Sequence, residues 1–249
     1  MEEQVTENKF KFPSEVVDLP SKGLIYPKDN PLSSGKIEMK YMTAKEEDIL
    51  TNTNYIQKGI VLDKLIESLI ISKVSYNDLV TGDKNALLIA SRVLGYGKDY
   101  TFKSGGEEYT VDLTELKDKL LDPKHLKEEG VNEFDFTLPY AKTSITFKLL
   151  THGDEKSIEK EIIGLQKIKK GTSPEVSTRL KYIITSVDGN REKKDIREFV
   201  DNYLLARDSR DLRNEIKRIA PDVSLVYKGD DVEEGITIPV GINFFWPDL

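Results

Sequence analysis

Cysteine is missing from the 249 residues, which excludes disulfides, thiol catalysis and thiolate metal sites. Tryptophan occurs once, at Trp246, and histidine twice, at His125 and His152. Basic charge is in deficit: 37 lysines and arginines face 44 acids, for a net charge of −7. That balance argues against nucleic acid and against an anionic membrane surface, and no basic patch alternates with aromatics. No apolar run approaches the roughly 18 residues a membrane helix needs. Met1 to Phe12 is acidic and polar, unlike a secretory leader. A soluble product of a cytoplasm is expected. What the chain does have is apolar material, at 38%, enough for one large domain or two ordinary ones.

The strongest pattern lies at the end. From Gly235 to Leu249, Ile236, Ile238, Val240, Ile242, Phe244 and Trp246 alternate with Thr237, Pro239, Gly241, Asn243 and Phe245. Period-two alternation predicts a strand with one buried face, and Pro239 places it at a sheet edge. Phe245 breaks the alternation and is expected to point outward, as interface anchors do.

Earlier in the chain, residues 1–15 read as a flexible arm. Pro20, Pro27, Pro31 and Gly35 rule out a helix and suggest extended chain with turns. Ile37, Met39 and Tyr41 alternate as a strand. Thr43 and Glu46 have capping-box spacing, which predicts a short helix to about Thr51. Apolar periodicity predicts helices over 60–71 and from Asp83 to Gly95. Tyr100–Phe102 and Tyr109–Leu113 flank Ser104-Gly105-Gly106, a hairpin signal. Residues 114–121 read as helix and 123–132 as a charged connector. The pattern then restarts: alternating Phe134, Phe136, Leu138 and Ile145, Phe147, Leu149, a helix over 154–169, and a loop to Pro174. Helices follow on Ile196–Tyr203 and from Asp208 to Ile219. Val223, Leu225 and Tyr227 alternate as a strand, and residues 228–235 form an acidic turn.

The restart has the form of an internal repeat. IEMKYMT at 37–43 matches ITFKLLT at 145–151, with isoleucine, lysine and threonine coincident. Glu46-Glu47 faces Asp154-Glu155, Leu19-Pro20 faces Leu138-Pro139, and Asp83 to Leu87 faces Asp208 to Leu212. The reading is an α+β chain of two tandemly repeated α+β units, residues 16–121 and 133–249, joined by a connector over 122–132. Each unit is expected to pack antiparallel strand pairs on a group of helices.

Reactive chemistry is sparse. His152 precedes Gly153-Asp154-Glu155, but acids at a helix start also offset the helix dipole. Glu46, Glu47 and Asp48 offer oxygen ligands for a hard cation, or serve as cap and dipole partners. Gly95-Tyr96-Gly97 ends a helix rather than opening one, which suits a C-cap and not a phosphate loop. No catalytic, metal or cofactor-binding residue is assigned. Leu19, Pro20, Lys22, Leu24 and Tyr26 form a stiff turn with apolar residues, read either as internal packing or as a partner-binding edge. Phe244, Phe245 and Trp246 carry the same two readings.

Three stretches together resemble a known family: Leu19 to Pro27, Gly35 to Leu50, and Phe244-Phe245-Trp246-Pro247. They are similar to the baseplate hub subunits and hub-assembly proteins of contractile-tailed, T-even-like bacteriophages, and the likeness runs from about residue 16 to the end. Leu-Pro followed by a strand, a threonine and acids also resembles phage tail assembly chaperones. The resemblance implies a non-enzymatic tail protein that acts by protein–protein contacts, with other hub or tape-measure proteins as partners and homo- or hetero-oligomers as its form. It implies the host cytoplasm during assembly, or the virion baseplate, as its place. The candidate partner-binding residues are Leu19, Pro20, Lys22, Leu24, Tyr26, Phe244, Phe245 and Trp246. The competing expectation is a metal-assisted hydrolase built on Glu46, Glu47, Asp48, Asp154 and Glu155.

Overall fold

The computed structural model describes residues 13–168, 174–229 and 235–245, an α+β fold of helices and small antiparallel sheets. β1 (Ser14–Asp18) pairs antiparallel with β2 (Lys36–Lys40). The short helices α1 (Ala44–Leu50) and α2 (Thr53–Gln57) precede α3 (Val61–Leu69), whose Val61, Leu65, Ile66 and Leu69 are buried. Ile70 then bridges Met39, adding a third position to the sheet. The long helix α4 (Thr81–Tyr96) leads into a hairpin of β3 (Asp99–Ser104) and β4 (Glu107–Asp112), turned over Gly105 and Gly106 at positive φ. A two-residue strand, β5 (Asp118–Lys119), closes this part.

The residues after the connector follow a similar order, with a three-stranded sheet in place of a two-stranded one. β6 (Phe134–Thr137) and β7 (Ser144–Phe147) form a hairpin, followed by α5 (His152–Ile168) and α6 (Glu175–Ile183). β8 (Ile184–Val187) joins the far side of β7. Next come α7 (Lys193–Asn202) and α8 (Ala206–Ile219), which buries Leu212 and Ile219 and ends before Pro221. The last strands are β9 (Asp222–Val223), β10 (Val226–Tyr227) and β11 (Ile236–Thr237).

The two units agree in register and not only in order. Val17 stands opposite Ile37, and Phe136 opposite Ile145. The Leu19 N–H donates to the Gly35 carbonyl at 2.8 Å, and the Leu138 N–H to the Thr143 carbonyl at 2.9 Å. Lys40 binds Glu46 at 2.8 Å, and Lys148 binds Asp154 at 2.8 Å. Both acids also cap backwards, accepting the Thr43 N–H at 3.0 Å and the Thr151 N–H at 3.1 Å. A buried aspartate near the start of α4 and of α8 then reaches the residues after each Leu-Pro. Asp83 accepts the Ser21 N–H at 2.9 Å, and Asp208 accepts the Tyr140 N–H at 2.8 Å.

The units also interlock. β5 pairs antiparallel with β9 across the two units, while the Leu121 N–H donates to the Pro20 carbonyl at 3.1 Å within the first unit and the Gly130 N–H ties the connector to the Leu24 carbonyl at 2.8 Å. α4 comes so close to the end of α8 that a Cβ on Gly82 would lie 1.9 Å from the Pro221 carbonyl oxygen. Only glycine permits that approach.

Three local expectations are corrected. Of the arm expected over residues 1–15, residues 1–12 lie outside the described residues, and its end is corrected, because Ser14 and Glu15 pair with Lys40 and Met39 in β1. Residues 114–121 are not a helix: a 3-10 turn (Leu113–Glu115) gives way to β5, whose partner lies a hundred residues away in β9. The terminal stretch is a strand only over Ile236–Thr237 and then coils into a 3-10 turn at Ile242–Phe244. Nothing pairs with the alternating residues beyond Ile238 among the described residues, so their apolar side chains bury by turning inward.

Candidate docking surface

The residues expected to bind partners lie mostly inside the chain. Leu19, Pro20 and Tyr26 are buried and Leu24 is half-buried. The Tyr26 hydroxyl donates to Asp83 at 2.6 Å and accepts the Val80 N–H at 3.2 Å. Burial, then the Asp83 charge, pushes that phenol well above its ordinary range. Phe244 and Phe245 are both 0% exposed. Phe245 therefore does not point outward: its ring meets Tyr96 at 6.4 Å and Phe244 at 5.6 Å. These side chains are core, so they offer no docking surface. Lys22 alone among them is exposed, on a turn with φ of 52°. Trp246 and Pro247 lie outside the described residues, as does the loop at 169–173.

Four of the five acids of the competing hydrolase reading have internal partners, and the fifth, Asp48, is exposed. Glu46 is 1% exposed between Lys40 and Thr43, and these hydrogen bonds outweigh its burial to hold its carboxyl below the usual range. Asp154 is held by Lys148 and Thr151, and Glu155 by Arg179 at 2.7 Å. Glu47 accepts the Tyr96 hydroxyl at 3.1 Å. Among the described residues, no three of His, Asp or Glu stand together as metal ligands.

Sequence reading missed the seam between the units. Val80 bridges Thr151 as an isolated antiparallel pair, and the His152 N–H donates to the Leu79 carbonyl at 2.8 Å. The His152 ring stands edge-on to Tyr76 at 4.7 Å. Lys84 sits 2.9 Å from His152 Nδ1 and 2.8 Å from Asp63, which also accepts the Tyr76 hydroxyl at 2.7 Å. Lys84 can only donate, so Nδ1 accepts and the imidazole is neutral. Its Nε2 lies 3.7 Å from Asp63, beyond hydrogen-bond reach.

Burial first, then Lys84, lowers the His152 pKa, and the opposing Asp63 charge does not cancel them. The sign follows from proton counting. Unfolded, His152 binds a proton near pH 6.5; folded, it binds one only at lower pH. The unfolded state therefore takes up more protons below that value, and stability falls as pH drops through it. Urea unfolding should show a lower midpoint at about pH 5.5 than at about pH 7.5. His152→Gln keeps an acceptor for Lys84 and should flatten that dependence. An unchanged slope would remove His152 as its cause.

A second feature opens beside the seam. A cavity of about 400 Å³ is lined by Val80, Leu149, Leu180, Ile183, Ile216 and Pro221. It runs between α6, α8 and the start of α4, with the Arg179–Glu155 ion pair and Val176 on its rim. Val176 is an exposed apolar residue at the start of α6 on this rim. Concave apolar surface with a charged rim is the form taken by helix-binding grooves. No described helix is long and apolar enough to cross a membrane. Comparison with protein-family models, curated proteins and solved structures gives no match for this chain.

Proposed function

We propose that this chain is a non-enzymatic phage tail protein that acts in building the baseplate hub by holding other tail proteins. The resemblance of Leu19–Pro27, Gly35–Leu50 and Phe244–Pro247 to the hub family supplies the setting. The groove between α6 and α8 carries the mode of action: an apolar helical segment of a hub or tape-measure partner lies along Leu180, Ile183 and Ile216. With a net charge of −7, the chain favours a partner segment with basic flanks, and such contacts weaken with salt. On this reading the protein works in the host cytoplasm during assembly or within the virion baseplate.

Co-expression with the hub and tape-measure proteins of the same phage tests this. A salt-sensitive complex is expected, and Val176→Glu, a change at an exposed position, should weaken it about tenfold or more. Absence of any complex at low salt would overturn the reading. So would divalent-dependent hydrolysis that disappears in Glu47→Ala, which would revive the enzymatic alternative.

A further inference from the structure

The seam fills only one of two equivalent edges. The repeat sets Val80 and Leu205 at the same point, each immediately before the helix with the buried aspartate. Val80 is 2% exposed beneath Thr151 and His152, whereas Leu205 is 50% exposed and Tyr203 63%. The Leu79 carbonyl takes the His152 N–H; its counterpart, the Leu204 carbonyl, takes no backbone donor among the described residues. The covering side is also duplicated. Thr151 and His152 match Thr43 and Ala44, and Ala44, Glu47 and Asp48 are exposed. One copy of the edge-and-cover pair is closed within the chain, and the other stands open at both ends.

We propose that the chain self-associates head to tail, the Thr43–Asp48 edge of one copy docking on the Tyr203–Leu205 edge of the next. The intrachain seam is the template for that contact. Charge favours it: Arg207 and Arg210 are exposed on the first turns of α8 beside Leu205, Arg210 3.5 Å from Asp211, and Glu47 and Asp48 stand on the incoming edge. Position by position the substitutions are compatible. His152 and Lys84 become Ala44 and Ser209, so the buried charged cluster is replaced by two small residues. Lys156, which donates to the Asn77 side chain at 3.2 Å, becomes Asp48 facing Asn202, whose amide can donate to it. Gly153 becomes Lys45. A Cβ there would lie 3.2 Å from the Asn77 oxygen, so the contact between copies opens by a few tenths of an ångström and is weaker than the seam. Each copy uses two different surfaces, so association gives a ring where the rotation closes and an open filament where it does not.

The proposal does not depend on the tail assignment and is tested on the purified chain alone. Sedimentation velocity over about a hundredfold concentration range should show mass growing with concentration at low salt and falling as salt rises. Leu205→Glu, an acid at a helix start where it is tolerated, should weaken association about tenfold or more while far-ultraviolet dichroism is unchanged. Asp48→Arg and Arg210→Glu should each weaken it, and an equimolar mixture of the two should restore it. A strict monomer at every concentration overturns the proposal, as does association that all three variants leave intact. A monomer that associates only after residues 1–12 are removed also overturns it, by placing the chain's own arm on the surface.

Discussion

Phe244→Ala is expected to lower stability by about 3–5 kcal/mol, the range for emptying a well-packed aromatic site. The ring is fully buried and meets Tyr100 edge-on at 4.7 Å. Its own carbonyl accepts from Arg92 Nε at 2.8 Å. The same guanidinium donates to the carbonyls of Gly97 at 2.8 Å and Asp99 at 3.1 Å. Arg92 is thus a buried cation satisfied by three carbonyls, with the Tyr96 and Tyr100 rings at 5.4 and 5.9 Å from its centre. Loss of the Phe244 ring loosens the turn that presents one of those carbonyls, so cavity and hydrogen-bond costs fall on one place. A loss of that size consumes much of the stability of an ordinary domain. Urea unfolding followed by circular dichroism measures it, with Phe245→Ala as a parallel case. A change below about 1 kcal/mol would show that the terminal turn is not integral to the core.

The second large effect lies in the paired aspartates. Asp83→Ala strips acceptors from the Ser21 N–H and from the Ser21 and Tyr26 hydroxyls, all buried. Asp208→Ala strips them from the Tyr140 and Ala141 N–H groups. Buried donors left without partners cost about 1–3 kcal/mol each, part of which is offset by removing a desolvated charge. About 2–3 kcal/mol is expected at Asp83, and about 1 kcal/mol at Asp208, because Tyr140 and Ala141 are exposed and water can take up their N–H groups. Asp83→Asn should cost less than alanine, because its amide keeps one acceptor and can donate to hydroxyls that turn to receive it. Burial raises the Asp83 pKa. Folded, this acid holds its proton to higher pH than unfolded, so its ionisation works against stability as pH rises above about 4. Asp83→Asn should therefore lose less stability at neutral pH than its hydrogen bonds alone suggest. Calorimetry of the three variants at two pH values separates these contributions. Equal losses for Asn and Ala would mean that charge, not hydrogen bonding, is what Asp83 supplies.

Local chemistry was readable where it acts over a few residues. The capping box of Thr43 and Glu46 and the turn at Gly105-Gly106 depend on neighbours in sequence, and residue type announces them. The matching contacts of Lys40 with Glu46 and of Lys148 with Asp154 were readable for the same reason, since lysine, threonine and acid recur at fixed spacing. α4 and α8 instead start two residues before the expected Asp83 and Asp208, after Val80 and Leu205, with no side-chain cap to announce them. What depended on distant chain was not readable. β5 looks helical until β9 arrives beside it. Asp83 reads as an ordinary helix-start acid until Ser21 and Tyr26 fold over it. Phe245 looks outward-facing if its stretch is a strand, and the turn at Ile242–Phe244 reverses that. The seam was hidden because His152, Lys84 and Asp63 become a group only when both units are folded. The groove was hidden because its apolar residues come from separate stretches, at Val80, Leu149, Leu180–Ile183 and Ile216–Pro221, that meet only in the folded chain.

The grip of Arg92 on the Phe244 carbonyl spans 152 residues of chain. During synthesis the amino-terminal unit must therefore wait, with this contact unmade, until the segment around Phe244 has emerged. Such distant closure slows folding and leaves greasy surface open to strangers meanwhile. The nascent chain is thus most in need of a chaperone's shelter in the interval between the appearance of its first hairpin and the arrival of the segment that seals it.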